Sequence, residues 1–172
     1  MSDQDSFRIE GGDALRDLAK VMRKVPDGGE LRKALLAGLR AAAQPAADDM
    51  RTTLAARLPQ RGGAAKVLTK KKRTFAVRNR LSDSDKTSAG VRIVSADDVH
   101  DYASLENHGR LRHPVHPGNR PRRSWRWVEQ KVPTEGLLAE VLHSHEGQIL
   151  EGITDAMNDA ALAVEAAIER GV

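Results

Sequence analysis

The sequence predicts an α+β protein, with helices at both ends, a small antiparallel β-sheet between them and an extended arm rich in proline and arginine. Three observations predict it. Apolar residues recur at spacings of three and four in residues 13–58 and again in 137–168. Between these stretches, short runs of β-branched and aromatic residues take over. After them, Pro114, Pro117 and Pro121 fall among Gly109 and Gly118, a composition that fits neither a packed helix nor a central strand. The 172 residues suit one domain with an arm. Its expected parts are helical residues 1–58, a sheet in 66–106, the arm in 107–131 and helical residues 134–170.

Leu15, Leu18, Met22 and Val25 mark a first amphipathic helix over 13–25, which Pro26-Asp27-Gly28-Gly29 ends. A second helix runs from about Glu30 to Leu58, with Leu31, Leu35, Leu39, Met50, Leu54 and Leu58 on or near one stripe. Pro45 lies inside it and is expected to kink or split it. Leu58-Pro59 and Gly62-Gly63 close the helical region.

Val67, Thr69, Thr74, Phe75, Val77, Val91, Ile93 and Val94 predict an antiparallel hairpin, with a polar Ser- and Asp-rich link over 81–90. His100 to Glu106 reads as a third strand, anchored by Tyr102 and Leu105. The arm follows without regular structure. Thr134 is placed to cap a helix starting at Glu135. Leu137, Leu138, Val141 and Leu142 give its apolar patch, and Gly147 marks a break. Ile149, Ile153, Met157, Ala160, Val164, Ala167 and Ile168 form a last stripe, which Gly171 closes.

Only 3% of residues are aromatic and alanine is abundant, so a core of this length is thin. A thin core points to stability shared with neighbouring subunits. There is no cysteine, which excludes disulfides and thiolate metal sites. No apolar run is long enough to span a membrane, and the acidic N-terminus lacks a secretory h-region. A cytosolic site of synthesis is expected.

The net charge of +4 conceals blocks of opposite sign. Residues 59–80 carry +8 and residues 110–131 carry +6, whereas residues 81–109 carry −4 and residues 132–172 carry −7. A basic block can neutralise phosphates, or it can meet an acidic face of a like subunit and fix its register. The acidic C-terminal block favours the second reading, because a nucleic-acid binder gains nothing from a repulsive face. Plain solvation of both faces remains the third reading.

Catalytic patterns are missing from the sequence. It has no Gly-x-Ser-x-Gly elbow, no Walker loop and no Gly-x-Gly-x-x-Gly. His100, His108, His113 and His116 cluster, but no His-x-x-x-His pair falls on an expected helix with a Glu between. They read as contact residues, and neither a metal nor a cofactor is expected. Nucleic-acid binding is the stronger rival. Lys70, Lys71, Lys72 and Arg73 make one dense cationic run, and the tryptophans Trp125 and Trp127 could stack on bases.

Tyr102-Ala103-Ser104-Leu105-Glu106-Asn107-His108-Gly109 reads Tyr-Ala-x-x-x-Glu-x-Gly and is followed by a basic, proline-rich segment. Together with Arg112-His113-Pro114-Val115, Gly118-Asn119-Arg120, Trp127-x-x-Gln130 and Val132-Pro133, it resembles the head–tail joining family of long-tailed bacteriophages. These are also called tail-completion or neck proteins, and the likeness is to members from phages of actinobacteria. The resemblance spans roughly residues 12–170 and is sharp only over residues 102–133. The chain departs from it at Gly62-Gly63-Ala64-Ala65, where a Gly-x-Leu is usual, and in a longer basic stretch over 120–123.

The resemblance implies a virion protein assembled in the bacterial cytoplasm, without catalysis or cofactor. It implies a ring of identical subunits, sixfold by preference and twelvefold if matched to a portal, that joins the DNA-filled head to the tail. Its other partners would be adjacent neck proteins and the tail terminator or tail tube. A tail-terminator or minor-tail role is the neighbouring alternative. The interface residues it suggests are Tyr102, Glu106, Gly109, Arg110, Arg112, His113, Pro114, Arg120, Trp125, Trp127 and Gln130. Lys70, Lys71, Lys72 and Arg73 would touch packaged DNA or another subunit. In this reading the tryptophans anchor the arm on a neighbour and an acidic surface receives it, either the C-terminal helix or residues 97–101. The competing reading has the tryptophans closing the subunit's own core.

Overall fold

The helical spacings at the N-terminus become two helices. A computed structural model describes residues 12–59, 65, 66, 68, 75–81, 89–95, 102–115 and 126–171. Helix α1, Gly12–Met22, buries Leu15, Ala19 and Met22 at spacings of four and three. Helix α2, Gly28–Arg57, runs unbroken through Pro45. The expectation that Pro45 splits it is therefore corrected. Buried side chains lie on both sides of the proline, Leu39 and Ala43 before it and Ala46, Ala47 and Met50 after it. Their packing outweighs the ~3 kcal/mol that an interior proline costs.

Strands β1, Phe75–Arg80, and β2, Gly90–Ser95, form one two-stranded antiparallel sheet. Helix α3 is Tyr102–His108, and strands β3, Arg110–Val115, and β4, Arg126–Lys131, form a second antiparallel pair. Helices α4, Leu137–Ser144, and α5, Glu146–Gly171, complete the chain. The fold is α+β.

Several expectations are corrected. Residues 66 and 68 are helical where strand was expected, as is residue 65 just before them; Ala65 and Leu68, three apart, are both buried. The third strand from His100 to Glu106 is instead helix α3 over its described part. Leu105 is buried, its neighbours Ser104 and Glu106 are half-buried, and the glycine that closes the turn lies four residues after Leu105. The extended arm of 107–131 is, where described, the end of α3 followed by a β-hairpin. Pro114 is accommodated because a two-stranded ribbon consists only of edges, where a missing N–H is tolerated. Thr134 does not cap a helix at Glu135, since α4 starts two residues later with Gly136 at its N-cap. The break expected at Gly147 falls at His145.

The chain divides into two compact units, one drawn from residues 1–45, 77–93 and 146–172, the other from 46–76 and 94–145. In the first, α1 packs against α5. The end of β1 is tied to α2 there by two side chains: Arg32 donates to the Leu81 carbonyl, and Asn79 donates to the Leu36 carbonyl. Gly38 and Gly152 let α2 and α5 approach closely, since a Cβ on either would lie 2.7 Å or 2.8 Å from the Cβ of Ala156 or Ala42. In the second, α3 packs against β3 and α4.

Candidate interaction surface

The hairpin grows from a hydrogen-bonded base at the end of α3. Gly109 takes a left-handed conformation, φ 58°, and its N–H donates to the Leu105 carbonyl at 3.0 Å, which ends the helix. Its own carbonyl accepts the Val132 N–H at 2.7 Å. The buried Thr134 hydroxyl donates to the Leu105 carbonyl at 3.1 Å, so that carbonyl serves two donors. A Cβ at position 109 would stand 2.6 Å from the Val132 oxygen. Glycine is therefore required there both by conformation and by space.

Glu106 ties the same base to the next helix. Its carboxylate oxygens accept the N–H groups of Leu138 and Ala139 at 2.8 Å and 2.9 Å, and its carbonyl accepts the Gly136 N–H at 2.9 Å. The first turn of α4 has no side-chain cap of its own at Gly136. A carboxylate from α3 performs that task, satisfying two open donors beside the positive end of the helix dipole.

Above this base, strand alternation sorts the side chains. Arg110 stands opposite Lys131, Arg112 opposite Glu129 and Pro114 opposite Trp127. Leu111 stands opposite Gln130 and His113 opposite Val128 on the other side of the ribbon. Leu111 is buried and His113 and Val128 are half-buried, so this side faces inward at its base. The first side is open: Arg110, Arg112, Glu129 and Lys131 are exposed and Trp127 is half-buried. The Arg112 guanidinium lies over the Trp127 ring, 5.3 Å from its centre. Such a cation–π contact contributes about 0.5–1 kcal/mol at an exposed site. Arg110 pairs with Glu129 at 2.8 Å.

The structure thus brings Arg110, Arg112 and Trp127 together on one exposed face. Glu106 and Gly109 lie beneath it as the framework, and Gln130 is exposed on the opposite side. Tyr102 opens α3. Arg120, Trp125, His100, His116, Lys70, Lys71, Lys72 and Arg73 lie outside the described residues. Trp127 is not among the fully buried core side chains. Among the described residues, no three His, Cys, Asp or Glu side chains are grouped to hold a metal ion.

Sequence reasoning missed Glu129 and Lys131 as members of the face. The signal was available: Arg110 and Arg112 alternate with Leu111, and Trp127, Glu129 and Lys131 alternate with Val128 and Gln130. Pro114 masked that period of two.

No protein-family model matches the chain, and no curated protein or solved structure matches it.

Proposed function

We propose that the protein is a structural subunit of a bacteriophage neck, forming a ring that joins the DNA-filled head to the tail. One observation carries the reading. In the segment that resembles the head–tail joining family, Glu106 and Gly109 build the base of a hairpin, and Arg110, Arg112 and Trp127 crown it on one exposed face. Tryptophan and arginine are the residues most enriched where subunits bind tightly. A short ribbon held at its base by hydrogen bonds presents them with little ordering left to lose on docking. The subunit works as an assembled virion part, beside neck proteins and the tail terminator or tail tube, with no chemistry of its own.

The test is joining itself. In phage particles built with this subunit, Trp127→Ala, or Arg110→Glu with Arg112→Glu, leaves a folded protein but yields filled heads and finished tails that remain separate. Intact infectious particles from these variants overturn the proposal. The genomic neighbourhood offers an independent check: portal and capsid genes are expected upstream and a tail-tube gene downstream.

A further inference from the structure

The hairpin face needs a counterpart, and α5 carries one. Glu151, Asp155, Asn158, Leu162, Glu165 and Glu169 follow one another at spacings of four, three, four, three and four, so they lie on a single stripe of the helix. All six are exposed, and Leu162, at 64%, is the most exposed large apolar residue of the described chain. The opposite stripe, with Ile149, Ile153, Ala160, Val164 and Ala167, is buried. The outer stripe thus has the spacing of a packing seam, but an acidic composition with one leucine at its centre.

Resting on the ring reading above, we propose that this stripe of α5 on one copy docks on the Arg110–Arg112–Trp127 face of the hairpin on the next copy. Three features favour a second copy as the occupant. The charges are complementary: four carboxylates on the stripe face two arginines and Lys131, with Glu129 the single acid among them. The pitch also agrees. Residues two apart on a strand are about 6.6–6.8 Å apart. Residues four apart on a helix, such as Glu165 and Glu169, rise about 6 Å. A pair of arginines on the ribbon can therefore meet a pair of carboxylates on the helix. Finally, each patch offers one apolar anchor, Trp127 on the hairpin and Leu162 on the helix, to be enclosed by the charges. The two surfaces differ, so the contact is head-to-tail, the kind that closes into rings.

The experiment uses the full chain, free of DNA, in sedimentation velocity across protein and salt concentrations. Arg110→Glu with Arg112→Glu, and separately Glu165→Arg with Glu169→Arg, should each weaken self-association at least about tenfold. A chain carrying all four changes should recover it to within about threefold. Leu162→Arg leaves the hairpin untouched and should also weaken association about tenfold, which guards against a misfolded ribbon as the cause. Tight self-association unaffected by either reversal, or a fourfold variant no better than its parents, overturns the seam while leaving the ring reading standing. A wild-type chain that stays monomeric at every concentration overturns both.

Discussion

The carboxylate of Glu106 accepts the backbone N–H of Leu138 at 2.8 Å, one helix capping the start of another across 32 residues of chain. A second oxygen holds Ala139 at 2.9 Å. The substitution Glu106→Ala leaves both donors without this partner, and loss of a helix cap costs about 0.5–2 kcal/mol. Glu106→Gln keeps one acceptor oxygen and should lose less than Glu106→Ala. Urea unfolding of the two variants beside the wild type checks the order. Equal stability of all three would mean that water replaces the carboxylate without loss.

Gly109 and Gly136 share a positive φ, 58° and 73°, yet they differ in surroundings. A Cβ at 136 meets nothing within 4 Å, whereas a Cβ at 109 meets the Val132 oxygen at 2.6 Å. Gly136→Ala should cost only the left-handed conformation, about 1–2 kcal/mol. Gly109→Ala should cost more than that, because the hairpin base must open to admit the methyl group. Thermal or urea unfolding of the pair reads the difference directly, and equal losses would refute the role given to the Val132 contact.

These glycines also mark what was legible in the sequence. The long helices were legible because Leu35 and Leu39, or Ile149 and Ile153, repeat at the helical period over many turns. The α3 turn was not, because its seven residues offer only two large apolar anchors, Tyr102 and Leu105, too few to establish a period. Its identity rests on Glu106 and Gly109 bonding to residues 132–139, which are distant in sequence. Likewise Pro114 argued against a strand, and only its place in a two-stranded ribbon with residues 126–131 resolves the conflict. Arg112 and Trp127 were each identified as contact residues, but their stacking depends on a strand register that no local pattern specifies.

Between α2 and α5 the spacing of backbones, not conformation, sets the role of glycine. Ordinarily Gly→Ala in a helix stabilises by about 0.5–1 kcal/mol. At Gly38 and Gly152 the added methyl would stand 2.7 Å from the Cβ of Ala156 and 2.8 Å from that of Ala42. Both changes should therefore destabilise, by about 1–3 kcal/mol, as overpacked cores do. Gly147→Ala, near the start of α5 with nothing within 4 Å, should instead be neutral or mildly stabilising. Opposite signs at positions 147 and 152 of the same helix are the diagnostic result in unfolding experiments.

The junction after α4 carries the acid sensitivity that can be placed on a named pair. His145 Nε2 donates to Asp49 at 3.1 Å, and the Thr53 hydroxyl donates to the other carboxylate oxygen at 3.0 Å. The His145 hydrogen bond and then that of Thr53 hold the Asp49 carboxyl below its ordinary value; burial opposes them, and the charge of His145 adds to them. A carboxyl depressed in the folded state contributes stability that is fully present above its unfolded value of about 3.9. That contribution disappears as pH falls through the depressed folded value. Asp49→Asn should therefore flatten the loss of stability as pH falls through and below about 3.9, relative to the wild type. The effect is modest, because the Asp49 side chain is 45% exposed and water screens the pair. His145→Ala should flatten the same window, since it removes the largest cause of the depression. If Asp49→Asn and His145→Ala both follow the wild-type acid profile unchanged, the pair contributes nothing to acid sensitivity, and the carboxylates elsewhere in the chain account for it.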